Sequence, residues 1–342
     1  MKNFISRTAF ITTAILCTAT TANAWQYKND RFAFKLTGYG TAGMIQPEFD
    51  KSDFLGDWRV RGQVNYAVAA GQSAGAVYAI DAAAIDDDKP LREAFGFYEN
   101  RDLGRIEIGF TDSIARKLGV GLPDVGGMRV NDQPLFYKKI HPTGTIISDT
   151  ILTTGRTALR TNMVSVPTRP VQYGLSVAGL TDDYDYAIDA GIKIRRPDGK
   201  IKTAYSFGAS FMSALSGYHT DTYTPDVTAD WRAQLSAGMN LQYNSFVWGI
   251  NARAIYDKNP IGPISDGISA GTGVSYDLLK YTVSLSYIFS DTGVWNHDVD
   301  DYMDHTVIGS FRYKYSENVD GWVSIGLTTE TPFLSAGMRV TF

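Results

Sequence analysis

Apolar and polar residues alternate one for one along this chain, in segments of about ten residues that recur from Arg31 to the last position. Trp58, Val60, Val64, Tyr66 and Val68 alternate with Arg59, Arg61, Gln63 and Asn65; Tyr184, Tyr186, Ile188, Ile192 and Ile194 alternate with Asp185, Asp189, Lys193 and Arg195. Trp231, Leu235, Met239, Leu241 and Tyr243 do so with Arg232, Gln234, Ser236, Asn240 and Gln242. Successive side chains of a strand point to opposite faces, so each segment reads as a strand with one apolar and one polar face. No window of eleven residues carries helical spacing, and the chain reads as all-β.

Sixteen such segments fall near 31–46, 57–70, 75–85, 91–100, 104–112, 154–165, 171–180, 184–196, 201–213, 229–243, 246–257, 267–278, 281–291, 303–316, 321–330 and 333–342. Short connections at 71–74, 100–103, 197–200, 244–245 and 316–320 alternate with longer polar ones at 47–56, 213–230, 258–266 and 292–302. Pro197-Asp198-Gly199-Lys200 is a turn by composition. An even number of strands joined alternately by short turns and long loops is the wiring of an outer-membrane barrel, with short turns toward the periplasm and long loops outside.

Alternation by itself does not say which face meets water; a soluble sandwich or propeller would bury the apolar one. Three features choose the membrane. The polar face carries long cations (Arg59, Arg61, Arg92, Arg156, Arg160, Lys193, Arg195, Arg253) that suit a wet lumen. Aromatics such as Trp58, Tyr184, Tyr243, Phe246, Tyr256, Tyr281 and Phe289 recur near strand ends on the apolar face, as interfacial girdles require. The chain also ends on Phe342, the last apolar residue of an alternating segment. A mean hydropathy of −0.15 excludes helical membrane spans. The formal net charge of −4 speaks against a nucleic-acid partner. Residues 1–24 read as a signal peptide: Lys2 and Arg7 precede the apolar stretch from Phe10 to Cys17, and Ala22-Asn23-Ala24 is the cleavage signal. Removing it takes the single cysteine and leaves 30 basic against 36 acidic residues. Leu16 sits where a lipoprotein signal would place a small residue.

Over residues 25–342 the chain resembles the general, trimeric porins of Gram-negative bacteria, whose C-terminal strand likewise ends on phenylalanine. The longest connection, 113–153, follows the fifth strand, and in that family the loop at this place folds into the barrel and narrows the pore. Leu122-Pro123-Asp124-Val125-Gly126-Gly127 resembles the family's Leu-Pro-Glu-Phe-Gly-Gly motif, which makes Asp124 the acid of the constriction. Arg59 in Trp-Arg-Val-Arg-Gly, Arg92 in Arg-Glu-Ala-Phe-Gly-Phe and Arg160 in Arg-Thr-Asn-Met resemble the basic cluster on the facing wall. Arg61, Arg105, Arg156 and Glu107 are further lumen-lining candidates. The chain departs from the family at Phe110, where an arginine is common, and at Val120 and Met128, where further loop acids often occur; the departures imply either a weaker charge separation across the gap or one biased toward basic, and leave cation preference open.

The resemblance implies a 16-stranded antiparallel transmembrane β-barrel with an inward-folded long third loop, in the outer membrane as a homotrimer. It implies passive diffusion of ions and small hydrophilic solutes, with lipid as the surrounding partner and no cofactor or metal. Arginines facing an acid across a narrow gap set up a transverse field on partly dehydrated permeants. Two structural alternatives accompany that site: the arginines pair with carboxylates such as Glu107 or Asp81 and stiffen the wall, and the barrel's loops, such as 213–230, serve adhesion. An enzyme is not expected. His141, His219, His297 and His305 have no serine and acid at a suggestive spacing, and His297-Asp298-Val299-Asp300-Asp301 reads as a solvated loop before it reads as a cation site.

Overall fold

The computed structural model describes residues 25–47, 53–83, 91–123, 129–130, 133–134, 158–166, 169–179, 186–213, 231–258, 267–292, 302–328 and 331–342. Its strands are β1 (Trp25–Lys28), β2 (Phe32–Pro47), β3 (Asp53–Ala69), β4 (Gln72–Ala83), β5 (Leu91–Asn100), β6 (Gly104–Thr111), β7 (Arg129–Val130), β8 (Gln133–Pro134), β9 (Ala158–Val164) and β10 (Val171–Gly179). They continue with β11 (Tyr186–Arg196), β12 (Ile201–Ser213), β13 (Trp231–Tyr243), β14 (Phe246–Lys258), β15 (Gly267–Leu278), β16 (Tyr281–Thr292), β17 (Tyr302–Lys314), β18 (Val319–Leu327) and β19 (Pro332–Thr341). One four-residue helix, α1 (Ile114–Lys117), follows β6.

Sixteen of these strands close an antiparallel ring: β2 to β6 in order, then β9 to β19, with β19 pairing back onto β2. Closure leaves no edge, which is the condition for a sheet to cross lipid. The bounds 91–100, 201–213 and 267–278 coincide with the sequence segments. β3 begins earlier than expected, at Asp53; of the segment expected at 154–165, the described part of β9 starts at Ala158.

β1, β7, β8 and α1 were not expected from periodicity; each is too short to display a period. The first has a clear structural role. β3 occupies one edge of β2 from Phe32 to Ile45, so β1 lies on the edge that β19 uses. Thr341 opposes Tyr39, Phe342 exchanges two backbone bonds with Gly38 (2.8 and 2.9 Å), and Trp25 opposes Leu36. β19 and β1 therefore cover β2 end to end as one composite strand. The Phe342 ring lies over Gly38, where a Cβ would come within 2.5 Å of it.

Burial shows which face is which. On β10, Val171, Tyr173, Leu175 and Val177 are exposed while Gln172, Ser176 and Ala178 are buried. On β11, Tyr186 and Ile188 are exposed while Asp189 is fully buried, and on β13 Leu235 is exposed while Arg232 and Gln234 are buried. The order is inverted with respect to a water-soluble barrel: apolar side chains point out and polar ones in, which only a hydrocarbon surrounding stabilises. Aromatics bound the band at both ends. Tyr186, Phe211, Trp231 and Tyr256 form a chain of ring contacts with centroids 5.3–6.2 Å apart near the long-loop end. Tyr281, Phe311, Tyr313 and Tyr315 form another at the short turns, at 4.6–5.6 Å. On β13 the two levels are marked by Trp231 and Tyr243; that rise, on a strand tilted about 40°, spans roughly 30 Å, the depth of a bilayer's apolar core.

Candidate functional site

After Thr111 the chain leaves the wall and turns into the barrel. Ser113 caps α1, its Oγ accepting from the Arg116 backbone N–H at 3.2 Å. Ile114, Ala115, Leu118, Val120 and Leu122 are all buried against the polar inner wall. What lets a backbone lie there is a row of inward-facing glycines on neighbouring strands. A Cβ at Gly174 of β10 would stand 3.0 Å from Ile114 Cγ2, and one at Gly191 of β11 would stand 2.9 Å from Ile114 O. At Gly238 of β13 it would meet Val120 O at 2.5 Å, at Gly249 of β14 Pro123 Cδ at 2.7 Å, and at Gly271 of β15 Leu122 Cδ1 at 2.7 Å. Residues 114–123 thus run along a groove made by missing side chains, across six strands of wall. This is the use of glycine for close approach, carried from strand to strand.

Polar contacts hold the segment along its length. Ser206 Oγ accepts from Val120 N at 2.9 Å, Lys193 Nζ donates to Gly119 O at 3.4 Å, and Asn251 Nδ2 donates to Val120 O at 3.5 Å. At the N-terminal end two buried charge clusters fasten it. Glu107 accepts from Lys117 Nζ and from Asn162 Nδ2 (3.0 Å), and lies 3.0 Å from Arg105 Nε; Lys117 also donates to Thr111 Oγ1 at 2.6 Å. Arg105 in turn covers the Phe97 ring at 3.8 Å, and Lys117 covers Phe95 at 4.6 Å. The second cluster joins Arg160 to Asp189, with Ser176 Oγ donating to Asp189 Oδ2 at 3.1 Å and Ile114 N approaching Ser176 Oγ at 3.4 Å. The Arg160 and Asp189 side chains are 1% and 0% exposed, so neither offers charge to an open lumen.

The candidates drawn from sequence therefore separate. Arg59 and Arg61 lie on the inward face of β3, Arg59 at 5.7 Å from the Tyr39 ring centre and Arg61 with Nε 3.4 Å from Glu93 Oε2 and its side chain 41% exposed. β3 stands eight strands round the ring from β13, directly across the barrel from the wall that carries Val120. Arg105 and Glu107 are inward-facing, but they are each other's partners and hold Lys117. Arg160 faces inward as its parity requires and lies buried on the wall strands that carry Ile114, paired with Asp189; the loop acid Asp124 lies outside the described residues. Arg92 sits at a bulge: Ala79 opposes Glu93 and Ile80 opposes Leu91, so Arg92 has no register partner. Asp124, Arg156, the Arg92 side chain, residues 1–24 and most of 113–153 lie outside the described residues.

Asp189, Ser176 and Lys117, together with the glycine row, were not singled out from sequence. Asp189 was visible as an isolated acid among apolar residues of its strand. The glycines were visible as well, since each falls at the polar parity of its strand, but the period of two does not say what a small inward residue is for.

No protein-family model and no curated protein matches the chain. Solved structures do. OmpF of Salmonella typhi, in complex with daunomycin, aligns with a TM-score of 0.69 at 10% identity, over 93% of this chain and 100% of its own. OmpT of Vibrio cholerae in its trimer form, an outer membrane protein, aligns at 0.66 and 12% identity over 92% and 100%. The anion-selective porin of Comamonas acidovorans aligns at 0.64 and 10% identity over 91% and 100%. Across so little identity the likeness concerns the path of the backbone. The chain has the fold of the Gram-negative porins: a closed sixteen-stranded antiparallel barrel with a segment laid against its inner wall.

Proposed function

We propose that this protein is an outer-membrane porin, a water-filled channel for passive diffusion of ions and small hydrophilic solutes. The supporting observation is the placement of residues 114–123. A sixteen-stranded ring is wide enough to leave an aqueous channel, and a segment fastened across a polar inner wall has its simplest use in setting that channel's width. In this reading Arg59 and Arg61 form the basic wall facing the segment, Arg92 and Asp124 belong to the same gap, and Arg105, Glu107 and Arg160 position the segment. Catalysis and cofactors have no part in it. Reconstitution of the mature protein in a planar bilayer is the test: stepwise currents with a conductance proportional to salt are expected, and their absence removes the channel.

Export through removal of residues 1–24 and assembly as a homotrimer belong to the same proposal. Support for assembly comes from the outer face of β2 to β5, where Gly38, Gly40, Ala42, Gly62, Ala76 and Gly96 point outward, against Val283, Leu285 and Tyr287 on β16. A Cβ at Gly40 would meet nothing within 4 Å, so this face has unfilled room in the single chain. Gly40→Phe is expected to leave the barrel folded and to lower the trimeric fraction seen by chemical cross-linking; an unchanged fraction places the contact elsewhere.

A further inference from the structure

Below the inserted segment, toward the short turns, the inner wall is cationic without acidic partners. Gly191, which carries α1, is followed on the same inward parity by Lys193 and Arg195, each about 7 Å further along the strand. The adjoining strand adds Lys202: Arg195 opposes Ala204, and Lys202 is the next inward residue of β12, opposite Gln242 of β13. Lys193 opposes Gln172 on one side and Ser206 on the other. These neighbours are neutral. Among the described residues no carboxylate lies within ion-pair distance of Lys193, Arg195 or Lys202, and the single hydrogen bond from these side chains goes from Lys193 to the Gly119 carbonyl. Asp189, on the same strand, is already taken by Arg160. Other inner-wall arginines have carboxylate partners, as Arg339 has Asp320 at 3.0 Å and Arg105 has Glu107.

We propose that Lys193, Arg195 and Lys202 form an anion-binding station on the short-turn side of the inserted segment, taking small solutes that carry two or more negative charges, of the phosphate-ester or pyrophosphate class. Three cations on two adjacent strands present donors over a span of about 13 Å, which a monovalent ion engages one at a time and a polyanion engages together. The wall behind them is thin and apolar on its outer side, and Lys193 is half-buried, so the charges act through a medium less screening than bulk water. The station makes the channel electrically asymmetric along its axis. Polyanions are held after the constriction on the inward journey and before it on the outward one. The inference rests on the channel reading above.

The test uses the mature full chain in detergent and in planar bilayers, with inorganic pyrophosphate as the probe. Titration calorimetry of the detergent-solubilised protein in 0.1 M salt is expected to show pyrophosphate binding. The triple variant Lys193→Gln, Arg195→Gln, Lys202→Gln weakens that binding at least tenfold. The double variant Arg196→Gln, Lys200→Gln, whose side chains do not share this inward face, leaves it within twofold. In bilayers, pyrophosphate lowers the potassium chloride current more from the short-turn side than from the long-loop side, and the triple variant abolishes the difference. Should the triple variant not fold, judged by heat-dependent gel mobility, the exposed Arg195→Gln and Lys202→Gln singly must each weaken binding at least twofold. Equal loss in the triple and double variants, or no loss in either, overturns the station. Binding that the triple variant removes in a protein conducting no current keeps the station and removes the channel; current with variant-insensitive binding does the reverse.

Discussion

Two walls of the barrel obey the same alternation and have different interiors. From β10 to β15 the inward positions that meet the inserted segment are glycines, serines, one asparagine and Lys193, and the segment's own apolar residues fill the space. From β19 through β5 the inward positions carry large side chains: Trp322 of the neighbouring β18 lies over Gly43 and Gly337, Phe97 lies over Gly75, and Arg59, Arg61 and Arg339 project into the lumen. One wall receives a segment, the other supplies its own bulk and charge. The lesson is that in a barrel of this width the identity of the inward residue, not the pattern, decides whether a wall is a surface for water or a seat for chain.

That comparison can be broken most strongly at the seat. Asp189→Ala takes from the buried Arg160 guanidinium its Asp189 carboxylate, a change that costs about 3–5 kcal/mol. A large drop in the temperature at which the barrel loses its compact gel mobility is expected, and the double variant Arg160→Met, Asp189→Leu must recover most of it; equal losses in both would show that the pair fastens nothing. Next in size is the distinction between faces. Leu285→Arg on the outer face of β16 is expected to cost about 2–4 kcal/mol near mid-membrane, whereas Gln63→Arg on the half-exposed lumen face of β3 costs little, as unfolding titrations in lipid would measure. Gly191→Leu puts a side chain into α1 and is expected to displace the segment and raise single-channel conductance by a readily measured fraction, while Ala42→Val on the opposite wall's outer face leaves conductance unchanged. The smallest effect separates the arginines. Arg59→Gln and Arg61→Gln are expected to shift the reversal potential in a salt gradient toward cations by several millivolts, and Arg160→Gln to shift it less, because its charge is already matched by Asp189.

Much of this architecture was legible in the residues. Burying one face of every segment and wetting the other leaves few topologies, and Trp231 to Tyr243 carries the length, the parity and both girdles in a single strand. The inward direction of Arg59, Arg61 and Arg160 followed from parity alone. The partner of Arg160 did not: Asp189 lies two strands away in the ring, and no spacing along the chain brings the two together. α1 was invisible for a different reason, since four residues make a single turn and its sequence, Ile-Ala-Arg-Lys, holds no repeat from which a period could be measured.

What the sequence by itself determined is the sheet, its strand count, its inside and its outside, because the period of two is a local property that each segment states independently of the others. What only the tertiary structure decided is the use of that inside. Glycines at one parity on five separate strands become a single groove only when ring closure sets them side by side, and a buried arginine becomes a fastening rather than a pore charge only when a carboxylate from another strand reaches it. Contacts of that kind depend on register and curvature, which the alternation leaves free and the closed barrel fixes.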